Sequence, residues 1–388
     1  MSSGKKVIRV GVVGLGNMGS SHANLLREGR VKGACLASVS DVCNAAMEGF
    51  ADVPQFRDPD QLIRSGEVDA VLIATPHFSH TQIGMAALAR GLHVLVEKPI
   101  GVHKNDCAKL IAAHKGGKKQ VFAAMFNQRT DPYYQKIRDL VQGGELGEIQ
   151  RINWIITNWF RSDAYYASSG WRATWRGEGG GVLLNQCPHN LDLLQWIFGM
   201  PKSVRAFCRF GRHHDIEVED DVTAYMEFPG GATGVFITTT GEAPGTNRLE
   251  VTAERGKLIY ENDRLSFTRN EIETTRFSRT TTACFSTPPV WDITIPVSGH
   301  GPQHLGILQN FADAILDGAP LLAPAAEGIR SVELANAMLY STFTEKTIAL
   351  PLDGNAYERQ LKKLIAQSKP RKKKRTVAAA ANSSKSFK

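Results

Sequence analysis

Residues 7–13 form a short β-branched run. Gly14, Leu15, Gly16, Asn17, Met18 and Gly19 follow at once, and residues 20–26 then take up helical spacing. Strand, glycine-rich turn and helix in that order constrain the N-terminal part of the chain to an open α/β sheet. Gly14 permits the tight turn, Gly16 lets a pyrophosphate approach the backbone, and Gly19 lets helix and strand pack closely. The helix N-terminus offers free N–H groups and the positive end of its dipole to phosphate. The glycine pattern alone is common; the strand before it and the helix after it give it weight.

The alternation continues. Residues 34–40 read as a second strand that ends at Asp41. A carboxylate there accepts hydrogen bonds from an adenosine ribose and repels a 2′-phosphate, which favours NAD over NADP. The competing reading is a helix cap. A spacing from the glycines near the expected ~20 residues favours the ribose. Residues 68–74 form a strand leading into Thr75 and Pro76, and residues 83–88 are helical. Residues 92–96 form a strand ending on Glu97-Lys98-Pro99, residues 106–114 are helical, and the strand 121–126 ends on Asn127-Gln128-Arg129. Short loops between alternating strands and helices point to a parallel sheet, whose ligands bind at the carboxyl ends of the strands. Lys98 sits at such an end. Lysine loses basicity when desolvated, which suits it to proton transfer near neutral pH; the competing reading is a solvated loop lysine. His77 and His80 have no third ligand nearby at metal-binding spacing, so no metal is expected.

Residues 148–156 alternate and begin a second sheet. Trp159, Arg161, Tyr165, Tyr166, Trp171, Arg172 and Trp175 then cluster in a loop-like segment. Aromatic faces pack on sugar C–H surfaces and arginine donates to hydroxyls, so a ligand wall is preferred over ordinary core. Gly179, Gly180 and Gly181 read as a flexible entry to a helix. On it Asn185 and His189 are four apart and share a face, with Asp192 close to it. A histidine with amide and carboxylate companions is a candidate acid/base and hydroxyl-binding group; a hydrogen-bonded buried histidine is the plainer alternative. Strands at 221–228 and 234–240, joined by Pro229-Gly230-Gly231, and at 249–253 and 257–260 around a turn at Gly256, give antiparallel pairing. Helices are expected at 304–317, stopping at Gly318, and at 326–345, the latter packing back toward the first domain.

In the glycine turn, Asp41, Ala74-Thr75-Pro76, His80, Glu97-Lys98-Pro99 and the run 179–192, residues from about 7 to 352 resemble the Gfo/Idh/MocA family, which includes glucose–fructose oxidoreductase and myo-inositol dehydrogenase. The resemblance implies an α/β chain. Residues 1–128 would form a doubly wound NAD-binding Rossmann domain. Residues 129–365 would form an α/β domain whose large, mostly antiparallel open sheet serves substrate and oligomer contacts, as a homodimer or homotetramer. It implies cofactor contacts from Gly14, Gly16, Asn17, Met18, Gly19, Asp41, Ala74, Thr75, Pro76, His80, Glu97, Lys98, Asn127 and Gln128. Lys98 and His189 would be the catalytic pair, and Asn185, Arg172, Tyr165, Trp171 and Asp192 would meet the substrate. One departure matters: many members carry aspartate four residues before the histidine, where this chain has Asn185. An amide orients a hydroxyl but is no base. The expected activity is NAD-dependent hydride transfer from a secondary alcohol of a sugar, glycoside or cyclitol. The alternative is an NAD-recycling enzyme that cleaves glycosides by transient oxidation and elimination. Retention of Lys98 and His189 argues against a silent NAD- or sugar-binding sensor.

A net charge of +8 would suggest nucleic acid, but residues 366–388 hold eight basic residues and no acid, and the remaining 38 basic residues match the 38 acidic ones. No nucleic-acid partner is expected, and the tail is too poor in large apolar residues to fold. Six scattered cysteines without CxxC spacing, no separate signal segment and no transmembrane run indicate a cytoplasmic protein.

Overall fold

The computed structural model describes residues 7–369. The expectation of a disordered tail therefore lies, for residues 370–388, outside the described residues. Residues 366–369 belong to the folded part: the helix Gly354–Gln367 takes in the first two, Ser368 Oγ donates to Glu217 at 2.6 Å and Lys369 N to its other oxygen at 2.6 Å.

Six parallel strands make the first sheet: β1 (Ile8–Val13), β2 (Ala34–Ser40), β3 (Gln55–Phe56), β4 (Ala70–Ile73), β5 (His93–Val96) and β6 (Phe122–Ala124), in the order β3-β2-β1-β4-β5-β6. β4 and β6 are buried at every residue and β5 at all but its first, as strands covered by helices on both faces should be. The strand order reverses between β1 and β4, which opens the crevice where ligands bind in such sheets.

The second sheet has nine strands: β7 (Ile149–Ile156), β8 (Ser203–Phe210), β9 (Glu219–Glu227), β10 (Thr233–Thr239), β11 (Asn247–Ala253), β12 (Gly256–Glu261), β13 (Arg264–Asn270), β14 (Val290–Ile295) and β15 (Ile348–Ala349). Their order is β14-β13-β12-β11-β7-β10-β9-β8-β15, and only β7 and β10 run parallel. One face is apolar and covered: Ile152, Trp154, Val222, Ala224, Met226, Phe236, Leu249 and Val251 are all buried. The other face leaves Phe207 and Tyr225 exposed. Gly256 is not the turn between β11 and β12. It opens β12 at φ +127°, where a Cβ would stand 2.1 Å from the Thr268 carbonyl oxygen.

The two cores do not divide at residue 128. Ile307, Leu308, Phe311 and Ala312 of the helix Gln303–Asp317 pack in the first core, as do Ala323, Ala325 and Val332. The helix Gly328–Thr344 lies between the two cores, with Val332 in the first and Leu334, Ala335, Met338 and Leu339 in the second. Lys104 Nζ meets Glu333 at 2.7 Å and fastens that helix to the first domain.

Candidate active site

The carboxyl ends of β1, β2, β4 and β5 deliver Gly14, Asp41, Ala74 and Glu97 to one edge, and the segment after β6 brings Asn127 and Gln128. Gly14 has φ +88°, and a Cβ there would meet the Ala74 carbonyl oxygen at 2.7 Å. A Cβ on Gly19 would fall 1.8 Å from the Gly14 carbonyl oxygen, so close packing demands glycine at both. A Cβ on Gly16 would meet nothing within 4 Å; this backbone faces open space at the start of the helix Asn17–Arg27, where no side chain caps the first N–H groups. Leu15 N donates to Asp41 Oδ2 at 2.7 Å and Cys43 N to Oδ1 at 2.8 Å. Asp41 thus shapes the turn and still has lone pairs for ribose hydroxyls. Thr75 Oγ1, Asn127 Oδ1, Gln128 Oε1 and His189 Nδ1 are buried without a hydrogen-bond partner among the described residues. Open N–H groups, a carboxylate at the end of β2 and orphaned polar atoms beyond β4 and β6 fit a bound dinucleotide.

Lys98 follows β5 and is half-buried. Its Nζ donates to the Asn185 carbonyl oxygen at 2.8 Å. Burial lowers its pKa, Glu97 opposes this, and Arg172 and Arg161 add to the lowering. His189 is buried with its ring edge-on to Phe126 at 6.3 Å. Burial, then the Lys98 charge and His304, hold it well below the ordinary histidine value, so it is neutral.

The helix carrying His189 spans Pro188–Phe198. Asn185 precedes it, in a turn where its N–H donates to the Gly181 carbonyl oxygen at 2.9 Å. The shared helical face expected of Asn185 and His189 is therefore absent; the turn places Asn185. Nor is the glycine triplet flexible. Gly181 N and Leu183 N donate to the buried Glu219 carboxyl at 2.8 and 3.0 Å, and a Cβ on Gly181 would lie 2.0 Å from the Glu219 carbonyl oxygen.

Three expected ligand residues serve the scaffold instead. Both Asp192 oxygens are taken by Arg129, from Nε and Nη2 at 2.7 Å each, with Gln195 adding a third bond; the pair is fully buried. A carboxylate so held has no face for substrate. His80 places Nδ1 2.8 Å from the Pro99 carbonyl and Nε2 2.7 Å from the Thr75 carbonyl. It braces the loops after β4 and β5 from behind and has no nitrogen left for a metal or cofactor. Glu97 turns into the first domain, where His22 Nε2 donates to it at 2.7 Å and Lys98 N to its other oxygen at 3.1 Å. Burial works to raise its pKa, but His22, His304 and Lys98 outweigh that and hold it at about 2.

The aromatic cluster divides in two. Tyr166 and Trp175 are buried, Trp175 against Phe210 and Phe343 at 5.8 and 5.9 Å. Tyr165 and Trp171 remain half-buried, with the Arg172 guanidinium 4.7 Å from each ring centre and its Nη1 donating to the Tyr165 hydroxyl at 2.6 Å. Gln186 Nε2 also donates to that hydroxyl, at 3.1 Å, leaving its own proton for a ligand. Burial pushes the Cys187 thiol up to about 12, which makes it inert.

Glu178 and His304 join the site without having been singled out in the sequence; His77, weighed there only as a metal ligand, joins it as well. Glu178 is buried, accepts from Ala173 N at 2.6 Å and from Asn185 Nδ2, and receives His77 Nδ1 on its carbonyl at 3.2 Å. Burial, opposed by Ala173 N–H, Arg172, Asn185 and Lys98, raises its carboxyl to about 7. Its place just before three glycines is the one local sign, and the turns that join it to Asn185, seven residues on, do not follow from helical spacing. His304 comes from a helix that folds back from far along the chain, with no local sign at all.

A family signature described as "Oxidoreductase family, NAD-binding Rossmann fold" matches residues 8–125, and one described as "GFO/IDH/MocA C-terminal domain" matches residues 134–259. The chain belongs to the Gfo/Idh/MocA family of NAD(P)-binding oxidoreductases. The myo-inositol 2-dehydrogenase of Thermotoga maritima is 27% identical over 269 residues, 66% of this chain and 76% of that protein. The inositol 2-dehydrogenase of Arthrobacter sp. (strain FB24) is 37% identical over 149 residues, 37% of this chain and 44% of that protein, less than half its length. Among solved structures, the WlbA dehydrogenase from Bordetella pertussis in complex with NADH and UDP-GlcNAcA superposes with a TM-score of 0.75 at 23% identity, over 89% of this chain and 100% of that one. Levoglucosan dehydrogenase in complex with NADH and levoglucosan does so with a TM-score of 0.70 at 19% identity, over 89% and 99%. At these identities the structural likeness concerns the fold. Among the described residues no helix is long and apolar enough to cross a membrane.

Proposed function

We propose that this chain is an NAD-dependent dehydrogenase that oxidises a secondary alcohol of a sugar, glycoside or cyclitol. The observation that carries the reading is Lys98: a half-buried amine of lowered pKa, at the carboxyl end of β5, seated on the Asn185 carbonyl beside a neutral His189. The glycine turn and helix start would hold the pyrophosphate and Asp41 the adenosine ribose, with its charge favouring NAD over NADP. NAD bound there would supply the acceptor for the hydride leaving the carbinol carbon. Lys98 takes the hydroxyl proton on Nζ, and His189 shares or orients that proton. Arg172 and Tyr165 hold further hydroxyls, and the Trp171 face packs on the C–H surface of the ring. Relatives whose names are inositol 2-dehydrogenase and levoglucosan dehydrogenase support a polyol or sugar substrate. We also propose that a second copy covers the outer face of the nine-stranded sheet, where Phe207 (58% exposed) and Tyr225 (43%) stand on adjacent strands. Six unpaired cysteines suit a reducing cytoplasm.

The test is a panel of sugars, cyclitols and glycosides, followed by NADH absorbance and carbohydrate products together. Net NADH formed with a keto-sugar is expected; sugar release without net NADH would replace dehydrogenation by NAD-recycling cleavage. On the substrate so found, Lys98→Met should lower turnover roughly 10²–10⁴-fold, the scale of general base catalysis, with NAD affinity little changed. Near-normal turnover would remove Lys98 from the chemistry.

A further inference from the structure

Glu178 is a buried carboxyl for which the reaction above has no task. It is 1% exposed. Its Oε2 accepts from Ala173 N at 2.6 Å and its Oε1 from the Asn185 side-chain amide. The next residue must be glycine: Gly179 has φ +82°, and a Cβ there would lie 2.1 Å from Val102 Cγ1. The same Asn185 uses its main-chain carbonyl to seat Lys98 Nζ at 2.8 Å. One residue therefore joins the reactive amine to the buried carboxyl, through its backbone on one side and its side chain on the other. The amide itself can carry neither charge nor proton.

The charged and titratable groups around Glu178 come from several elements. Lys98 lies beyond β5, Arg172 lies in the loop before it, and the His77 ring donates to its carbonyl oxygen from the start of the helix His77–Ala89. Glu219 on β9 and Tyr166 feel its charge. Lys98 and Arg172 are the cations that favour its ionised form, while burial opposes that form and brings the carboxyl to about 7. Its charge is thus set in the pH range where the enzyme would work.

We propose that Glu178 is the positioning residue for Lys98: it locks Asn185, whose carbonyl aims the amine at the substrate hydroxyl, and its carboxylate charge favours the amine's protonated form. This rests on the dehydrogenase reading for its catalytic consequence. When Lys98 takes the hydroxyl proton and becomes an ammonium, the nearby carboxylate compensates the new charge; no atom passes to or from Glu178.

The coupling is measurable without any substrate. Brief acetylation of the intact protein by acetic anhydride across pH, read at Lys98 by peptide mass spectrometry, gives the titration of that amine. In Glu178→Gln it should move down by roughly one pH unit, as for loss of a nearby opposite charge. An unmoved titration overturns the proposal. On a substrate confirmed for the wild type, Glu178→Gln should lower kcat roughly 10- to 100-fold and remove a pH-rate limb near 7, with NAD affinity unchanged. The exchange variant Glu178→Gln/Asn185→Asp returns a carboxylate to the pair with its partner amide reversed. It should recover turnover and the limb, and Glu178→Asp should recover part. A folded exchange variant, checked by its melting temperature, that stays as slow as the single variant would reduce Glu178 to a structural residue. If the wild type oxidises nothing in the panel, the dehydrogenase reading fails, while the acetylation result still decides the coupling.

Discussion

Glu97 is ionised inside the first domain because the His22 imidazole donates to it at 2.7 Å and the Lys98 amide donates to its other oxygen. Its pKa falls from the ordinary 4.5 to about 2. A depressed carboxylate contributes stability that is present above about pH 4.5 and is lost as pH falls toward 2; at neutral pH this amounts to about 3 kcal/mol. Glu97→Gln should therefore lower the melting temperature at pH 7, and the gap to the wild type should close between about pH 4.5 and 2. A gap independent of pH would mean that packing, not charge, is what the variant loses. Asp41 acts at the same scale. Asp41→Ala removes the charge that repels a 2′-phosphate and frees Leu15 N, so the preference for NAD over NADP should narrow. Wild-type protein that already binds NADP more tightly would contradict the role given to this carboxylate. Lys98, His189, Asp41 and the glycines are legible in the sequence as candidates because each belongs to a short stretch with its own chemistry. Glu178 is not, because its meaning lies in Asn185 and Lys98, which only the folded chain brings to it.

The helix Pro188–Phe198 is the element that carries His189, and one turn further on it is anchored by Asp192 on Arg129. Arg129 also reaches Glu327 at 2.6 Å and the Leu322 carbonyl at 3.0 Å, so the ion pair is fully bonded where no water can help. Removing one partner of such a pair costs about 3–5 kcal/mol. Asp192→Ala should show that loss in denaturant unfolding, and turnover should fall no more than helix displacement allows. Full stability with selective loss of substrate affinity would restore Asp192 to the substrate site. The apolar spacing of this helix made it legible, but its start did not follow from spacing. Residues 181–187 turn instead, because the N–H groups of Gly181 and Leu183 are claimed by Glu219, a strand residue more than 30 positions away, and Pro188 opens the helix. Strands β1, β2, β4, β5 and β6 were legible as apolar runs. Two-residue β3, half-exposed at the sheet edge, has too little pattern to read.

On the scale of the whole molecule, the first core is finished by chain that arrives late. Ile307, Leu308, Phe311 and Ala312 cover β1 and its neighbours, and the helix Gly328–Thr344 then spans both cores. Residues 7–128 expressed alone should lack a cooperative melt, since that covering helix is missing. Joining residues 303–332 to them through a flexible linker should restore it. A sharp transition from residues 7–128 alone would show the late segment to be dispensable. Sequence periodicity revealed this helix but not its destination, because an amphipathic face says that it must be covered and not by which domain.

The chain thus leaves the first domain once and comes back. Residues 281–289, between the helix Thr274–Thr280 and β14, lie largely exposed at the far edge of the second sheet, with Phe285 fully open to solvent. A protease that cuts there produces two fragments, each holding part of both cores. Neither can leave without unfolding its partner, so the nicked protein should migrate as one particle until denaturant is added, and the break would sever the covalent chain without separating the molecule.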